Sequence, residues 1–364
     1  MTESHSIDVR WLDAAAYLAM PALGSTGSTP TVGAIVVDPV RQLMFGRAAT
    51  PPRGISQAVP LALADAKGMT LGRTLYATLE PAAHYTNLAP VAGAVIEAGI
   101  ARVVVGALDP DRSRAGEGLR DLADAGIEVV HIPHAPSKLL GEGYASRIGK
   151  GRPFVTMKLT LSADGMAGHN HPGEEQLLGA EALRFLERER AAADAVLSGA
   201  ARATIEDNDL RVHIEGLGGR GALRVVLAGS RDLDMQLELF AAVSGVPILV
   251  VTTPDRPLSL RPGIEVLQVE GQRGHPDLRH VLSILGERGI NRVFVEAGAR
   301  LAETFIAGEL VDRIEIIEVA REIGRTGVPA ALLGRFEDRI AAARFTEVDR
   351  RVLGEDKVRV LERG

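Results

Sequence analysis

The chain has 364 residues, 46% of them hydrophobic, and at about 100–200 residues per domain this predicts two domains with real cores. Lys+Arg 41 against Asp+Glu 47 leaves a net charge of −6, and aromatics make up 4%; neither the basic excess of a general nucleic-acid binder nor a base-stacking platform is present. There is no cysteine, which excludes disulfides, thiol nucleophiles and metal sites that need thiolates.

In chain order, Asp8 is placed to cap a helix whose apolar face is Trp11, Leu12, Ala15, Leu18 and Ala19. Residues 24–30 read as a loop and 32–37 as a buried strand. Helix over 57–67, strand over 74–79, helix over 89–98, strand over 102–108, helix over 119–125 and strand over 127–131 follow. This alternation predicts a sheet with helices on both faces. A helix from about 136 to 148 runs into Gly149-Lys150-Gly151-Arg152-Pro153, whose Gly/Pro punctuation marks a domain boundary. The expected domains are therefore 1–148 and 149–364. The second half reads as strands at 154–161, 195–197, 223–227, 246–252, 265–269, 292–295 and 314–319, with terminal strands near 344–349 and 357–361. Its helices are 180–192, a face of Leu278, Val281, Leu282 and Leu285, and 300–307. This half is again α/β. No apolar run reaches the roughly 18 residues of a membrane span, so a cytoplasmic protein that does not engage a membrane is expected.

Several phrases occur together. They are Thr29-Pro30-Thr31-Val32-Gly33-Ala34, Thr78-Leu79-Glu80-Pro81, Ala98-Gly99-Ile100-Ala101-Arg102-Val103, and Asp109-Pro110 followed by Ala115-Gly116-Glu117-Gly118. Arg152-Pro153-Phe154-Val155, Lys158, Ser162-Ala163-Asp164-Gly165, Arg288-Gly289-Ile290-Asn291, Val295-Glu296-Ala297-Gly298 and Gly308-Glu309-Leu310-Val311-Asp312 continue the series. Each phrase alone is weak, but their collinearity over nearly the whole chain resembles the bifunctional riboflavin-biosynthesis deaminase/reductase family. The resemblance implies an N-terminal cytidine-deaminase-like domain and a C-terminal dihydrofolate-reductase-like domain. It also implies a homodimer, NADPH as cofactor and a phosphorylated pyrimidine as the small-molecule partner.

The deaminase positions depart from that pattern. The zinc ligands implied by the resemblance fall at Gln57, Ala82 and Val91, and the general acid/base falls at Val59. A zinc deaminase needs three protein ligands and a proton-carrying carboxylate, and His84 by itself does not replace them. The expectation is a domain without zinc and without deaminase activity. It would serve as a scaffold, an interface or a remodelled pocket.

For the reductase half, the resemblance implies Lys158, Asp164 and Glu296 as catalytic residues. Arg190, Leu210, His213 and Glu174 fall at substrate positions. Thr160, Gly199, Arg202, Glu206, Ser230, Gly298, Ala299, Arg300 and Leu301 fall at cofactor positions. Arg190 would hold the ribose phosphate as a bidentate fork, and the helix opening at Gly298 offers amides to a cofactor phosphate. Plainer readings stand beside these. Arg190 belongs to a charged run that suits a solvated helix face, Asp164 suits a turn, and Lys158 in an apolar strand can extend its amine to water. Departures at Glu174, Gln176, Arg202 and His213 leave the substrate open. The expected activity is NADPH-dependent reduction of the ribose of 5-amino-6-(5-phosphoribosylamino)uracil. The alternatives are a reductase for another substrate, or a non-catalytic protein that binds a pyrimidine or flavin precursor or a related subunit.

Overall fold

In the computed structural model the described residues are 3–82, 90–169, 171, 177–217, 221–229, 233–241, 245–258, 260–272, 274–330 and 336–364. They form two compact units, Met1–Arg152 and Pro153–Gly364.

The first unit contains α1 (Glu3–Ala19), β1 (Gly33–Asp38), β2 (Leu43–Ala49), α2 (Ala58–Asp65), β3 (Thr74–Ala77), α3 (Val91–Glu97), β4 (Arg102–Val105), α4 (Glu117–Asp124), β5 (Glu128–His131) and α5 (Ala135–Lys150). Its sheet has the order β2-β1-β3-β4-β5. β1 is antiparallel to β2 and β3, while β3, β4 and β5 are parallel. Successive strand side chains point to opposite faces. Ala34 and Val36 therefore meet α2 and α3 through Ala58, Ala62, Val91 and Val95, and Ile35 and Val37 meet Leu12 and Ala15 of α1. Burial on both faces is why β1 reads as a continuous apolar run.

Three details differ from the sequence reading. Asp8 lies inside α1 and does not cap it. Its carboxylate accepts from both terminal nitrogens of Arg102, at 2.7 and 2.9 Å, and from the Tyr76 hydroxyl at 2.7 Å. A bidentate guanidinium across the core outweighs a local backbone bond. β2 escaped notice because it is a largely exposed edge strand with little alternation. α5 continues through Gly149 and Lys150 and ends at Gly151, whose φ of +66° closes the helix.

The second unit contains β6 (Phe154–Leu161), β7 (Met166–His169), α6 (Ala180–Ala191), β8 (Ala195–Gly199), α7 (Ala200–Glu206), β9 (Leu223–Leu227), α8 (Glu238–Ala241), β10 (Ile248–Thr252), β11 (Ile264–Gln268), β12 (Gly271–Gln272), β13 (His275–Pro276), α9 (Leu278–Glu287), β14 (Arg292–Glu296), α10 (Ala299–Ala307), β15 (Arg313–Glu318), β16 (Gly327–Pro329), α11 (Phe336–Ala342), β17 (Phe345–Leu353) and β18 (Asp356–Arg363). Nine strands form one sheet in the order β11-β10-β9-β8-β14-β6-β15-β18-β17. The seven from β11 to β15 are parallel, and β18 and β17 are antiparallel. One face packs on α9 and α10 and the other on α6, α7 and α8. β7 pairs with β16 outside this sheet. Neither β7 nor α7 was expected, because both are short and built largely of small residues.

Gly33 has no room for a side chain, since a Cβ there would lie 1.9 Å from the Ala15 carbonyl oxygen. Gly33→Ala should destabilise the first unit by roughly 1–3 kcal/mol or more, read as a lower urea midpoint of the full chain. An unchanged midpoint would contradict this helix–strand approach.

Candidate active site

A polar row crosses the centre of the second sheet. Ser198 is in register with Glu296, Glu296 with Lys158, and Lys158 with Glu315. Residues in register on adjacent parallel strands share a face, and here it is the face covered by α6 and α7. The strands are largely apolar around these positions, so each of these groups interrupts a hydrophobic stretch. The row stands at the C-terminal end of β14, where open α/β sheets place their ligand sites.

Glu296 is 1% exposed and is held by Arg190 of α6. Arg190 Nε and Nη2 donate to the two carboxylate oxygens at 2.6 and 3.1 Å, and Nη1 donates to the Arg211 carbonyl at 3.1 Å. Burial works to raise the Glu296 carboxyl, but the Arg190 and Lys158 cations outweigh it and keep the group below its usual range. Arg190 is therefore no solvated face residue, because it alone of the charged run turns into the core. Lys158 is 2% exposed and does not reach water. Burial pushes its ammonium below the usual range, against the pull of Glu206 and Glu296.

The 207–213 loop lies beyond Arg190. Leu210 occupies the left-handed region at φ +55° with its side chain in the core. The His213 ring is exposed, with Nε2 3.1 Å from Asp209 Oδ1. Burial raises the Asp209 carboxyl, yet the Arg211 amide and His213 together hold it low.

Asp164 does not face the row. In the turn between β6 and β7 it accepts from the Ser162 hydroxyl at 2.5 Å and from the amides of Ile323 and Gly324 at 3.1 and 2.8 Å. It ties the 321–324 segment to the turn, which agrees with its plainer reading.

The cofactor positions converge only in part. Gly199 ends β8 and Gly298 precedes α10, and Leu301 lies 3.8 Å from where a Gly199 Cβ would stand. The two strand-to-helix turns are thus neighbours. Arg202 pairs with Glu206 one turn along α7, and its guanidinium lies against Gly168, where a Cβ would come within 2.4 Å of Nη1. Thr160 is buried on β6 on the same side as Lys158. The Ala299 side chain is in the core, Leu301 packs on it, and Arg300 is exposed, so this turn offers backbone amides in place of side chains. A helix N-terminus, an adjacent glycine turn and a guanidinium fit an anionic cofactor. Glu174, Gln176 and Ser230 lie outside the described residues. Glu315, Ser198 and Arg224 were missed by sequence reasoning. The signal for Glu315 was available, since a carboxylate within Ile314-Glu315-Ile316-Ile317 is as unusual as Lys158 in β6.

In the first unit, Gln57, Val59, Ala82 and Val91 do converge on one cavity, with Thr29, Thr50, Ser56 and Glu80 also on its wall. Its volume is about 30 Å³, room for one or two waters. Val59, Ala82 and Val91 bring no metal donor. Both Glu80 carboxylate oxygens accept from the Gly116 amide, at 2.9 and 3.0 Å. These residues do not fit a zinc ion, which needs at least three N, O or S ligands. His84 lies outside the described residues.

Residues 153–356 match the family described as the RibD C-terminal domain. The chain is 30% identical over 336 residues to the riboflavin biosynthesis protein RibD of Haemophilus influenzae, covering 89% of each. It is 30% identical over 360 residues to the Aquifex aeolicus protein of the same name, covering 97% of each. Among solved structures it is similar to Acinetobacter baumannii RibD, with a TM-score of 0.82, 26% identity, and coverage of 98% of this chain and 99% of that one. The diaminohydroxyphosphoribosylaminopyrimidine deaminase/5-amino-6-(5-phosphoribosylamino)uracil reductase of Thermotoga maritima shares the fold over the full length of both chains, with a TM-score of 0.86 at 24% identity. The two-domain fold is thus deaminase-like followed by reductase-like.

Bonds from Ser162, Ile323 and Gly324 hold the Asp164 carboxyl near a pKa of about 2, against an ordinary 3.8. A carboxyl depressed in the folded state stabilises above its unfolded pKa, and that contribution is lost as pH falls through the folded value. Asp164→Ala should therefore lower Tm at neutral pH, and its gap to the wild type should close as pH falls from about 4 to about 2. A gap that ignores pH over this window would remove the clamp.

Proposed function

The chain belongs to the RibD family of riboflavin biosynthesis and carries its reductase domain, and from this premise we propose that it reduces the ribose of 5-amino-6-(5-phosphoribosylamino)uracil with NADPH, and that its first unit is not a working zinc deaminase. The observation that carries the reductase reading is the buried Ser198–Glu296–Lys158–Glu315 row, which reaches the C-terminal end of β14 at Glu296, with Arg190 locked onto Glu296.

NADPH, when bound, supplies the hydride. The amides that open α10 and the Arg202 guanidinium would hold its phosphates. Reduction of the opened sugar adds a hydride at C1′ and a proton at the adjacent nitrogen. Lys158 holds that proton, and its lowered pKa favours release. Glu296 orients Lys158 and Arg190 by charge; because the Arg190 fork is taken by Glu296 and not left for the ribose phosphate, the exposed His213 ring is the group placed to meet that phosphate. Leu210, with its side chain in the core, anchors the loop that carries His213. A homodimer with a phosphorylated pyrimidine as its small-molecule partner belongs to the same reading. Among the described residues no helix is long and apolar enough to cross a membrane.

The donor set around the first cavity supports the loss of deamination. Without zinc, water keeps a pKa near 15.7 in place of about 7, and Val59 cannot carry a proton to departing ammonia. A different reductase substrate is the second reading, favoured by His213, which is a departure at a substrate position and whose ring pairs with Asp209.

NADPH should bind the purified protein, and its reduced-nicotinamide absorbance should fall when the deaminated pyrimidine is added. Binding without oxidation selects the second reading, and no binding at millimolar NADPH removes both. The aminated pyrimidine precursor should release no ammonia, with or without added zinc. Ammonia release that a chelator abolishes would overturn the loss of deamination.

A further inference from the structure

Among the described residues, Arg224 is the largest side chain that is fully buried. It stands on β9 in register with Val196 of β8, which is in register with Phe294 of β14. This is the layer beneath the polar row, on the same face. Its guanidinium gathers three backbone carbonyls from three segments. Nη1 donates to Leu239 at 2.8 Å and to Asp209 at 3.3 Å, and Nη2 donates to Val246 at 2.9 Å. Burial, and then the neighbouring Arg211 cation, bring Arg224 down to about 10. The group is costly to keep there, and a structural anchor for α8 and β10 does not require the third carbonyl.

That third carbonyl belongs to a strained loop. Leu210 takes φ +55° and Asp207 takes φ +40°, both without the freedom of glycine. Non-glycine residues persist in this region only where their surroundings over-determine them. Here the carbonyls on either side of Leu210 are each held by a buried arginine: Asp209 by Arg224, and Arg211 by Arg190 at 3.1 Å. Local bonds complete the hold. The Asn208 side chain accepts from the Leu210 amide at 2.7 Å, and the Asp207 carboxylate accepts from the Glu238 amide at 2.9 Å. Because Arg190 also grips Glu296, the loop is tied to the polar row through one guanidinium.

We propose that Arg224 is a positioning residue for substrate binding: together with Arg190 it clamps the 207–213 loop around left-handed Leu210, whose side chain is anchored in the core, and so sets where His213 meets the phosphorylated pyrimidine. This rests on the reductase reading above. Arg224 touches no reacting atom and acts through Asp209.

Two measurements on the full chain test it. In wild-type hydrogen exchange the Leu210 and Arg211 amides, although in a loop, should exchange slowly. Exchange at the rate of an unstructured loop overturns the clamp without any variant. Arg224→Lys keeps a cation that cannot span three carbonyls, and Arg224→Met keeps the bulk. In both, these two amides should exchange about tenfold faster or more while those of β6 and β14 are unchanged. KM for the pyrimidine should rise about tenfold, with the NADPH Kd within about twofold. A merely structural role would lower Tm and leave KM at the wild-type value, or weaken both ligands alike, and either result overturns the proposal. If the wild type itself fails to oxidise NADPH with this pyrimidine, the reductase reading fails. That outcome differs from failure of Arg224, in which the wild type turns over and the variants match its KM.

Discussion

The bidentate pair of Arg190 with Glu296 is the contact on which the second unit's site depends. It joins α6 to the end of β14, neutralises a carboxylate that burial would otherwise protonate, and sets the field felt by Lys158 one strand away. In pure stability terms such a pair returns little, because taking both charges out of water offsets their attraction. Apolar side chains would hold this sheet as well. The pair instead fixes charge out of water at the end of β14, where it acts at close to full strength and needs no rearrangement before a ligand arrives.

The rest of the site follows from this anchoring. The parallel strands bring the turns after β8 and β14 side by side, so that one helix start and one guanidinium face the same space. Arg190 carries the constraint outward to the Arg211 carbonyl, and Arg224 meets it from beneath at Asp209. Charge, backbone strain and sheet register are thus coupled through two arginine side chains.

The first unit has a different balance. Its sheet is buried on both faces, and its helices close on small residues such as Ala15, Ala62 and Gly33. None of that packing requires a metal. Val59, Ala82 and Val91 close the cavity wall by apolar contact. The packing of this unit and the chemistry of its cavity are therefore separable. Glu80 illustrates this, since its buried carboxylate serves the Gly116 turn.

By itself the sequence determined the two-domain α/β order and most of the buried strands, and it placed Val59, Ala82 and Val91, none of them a metal donor, where they line one cavity. Apolar runs and glycine punctuation are local, and a missing donor is visible in one letter. It also marked Glu296 and Lys158 as charges out of place in apolar strands. It missed β2, β7 and α7, whose exposed or small residues carry little periodic signal. Only the tertiary structure decided that Arg190 leaves its charged run to bind Glu296, that Asp8 serves Arg102 instead of a helix end, and that Asp164 closes a turn away from the row. Each of these carboxylates had a plausible partner nearby in sequence. Which partner it took depended on strand register and helix rotation, and those are set by how whole faces pack, not by any short run of residues.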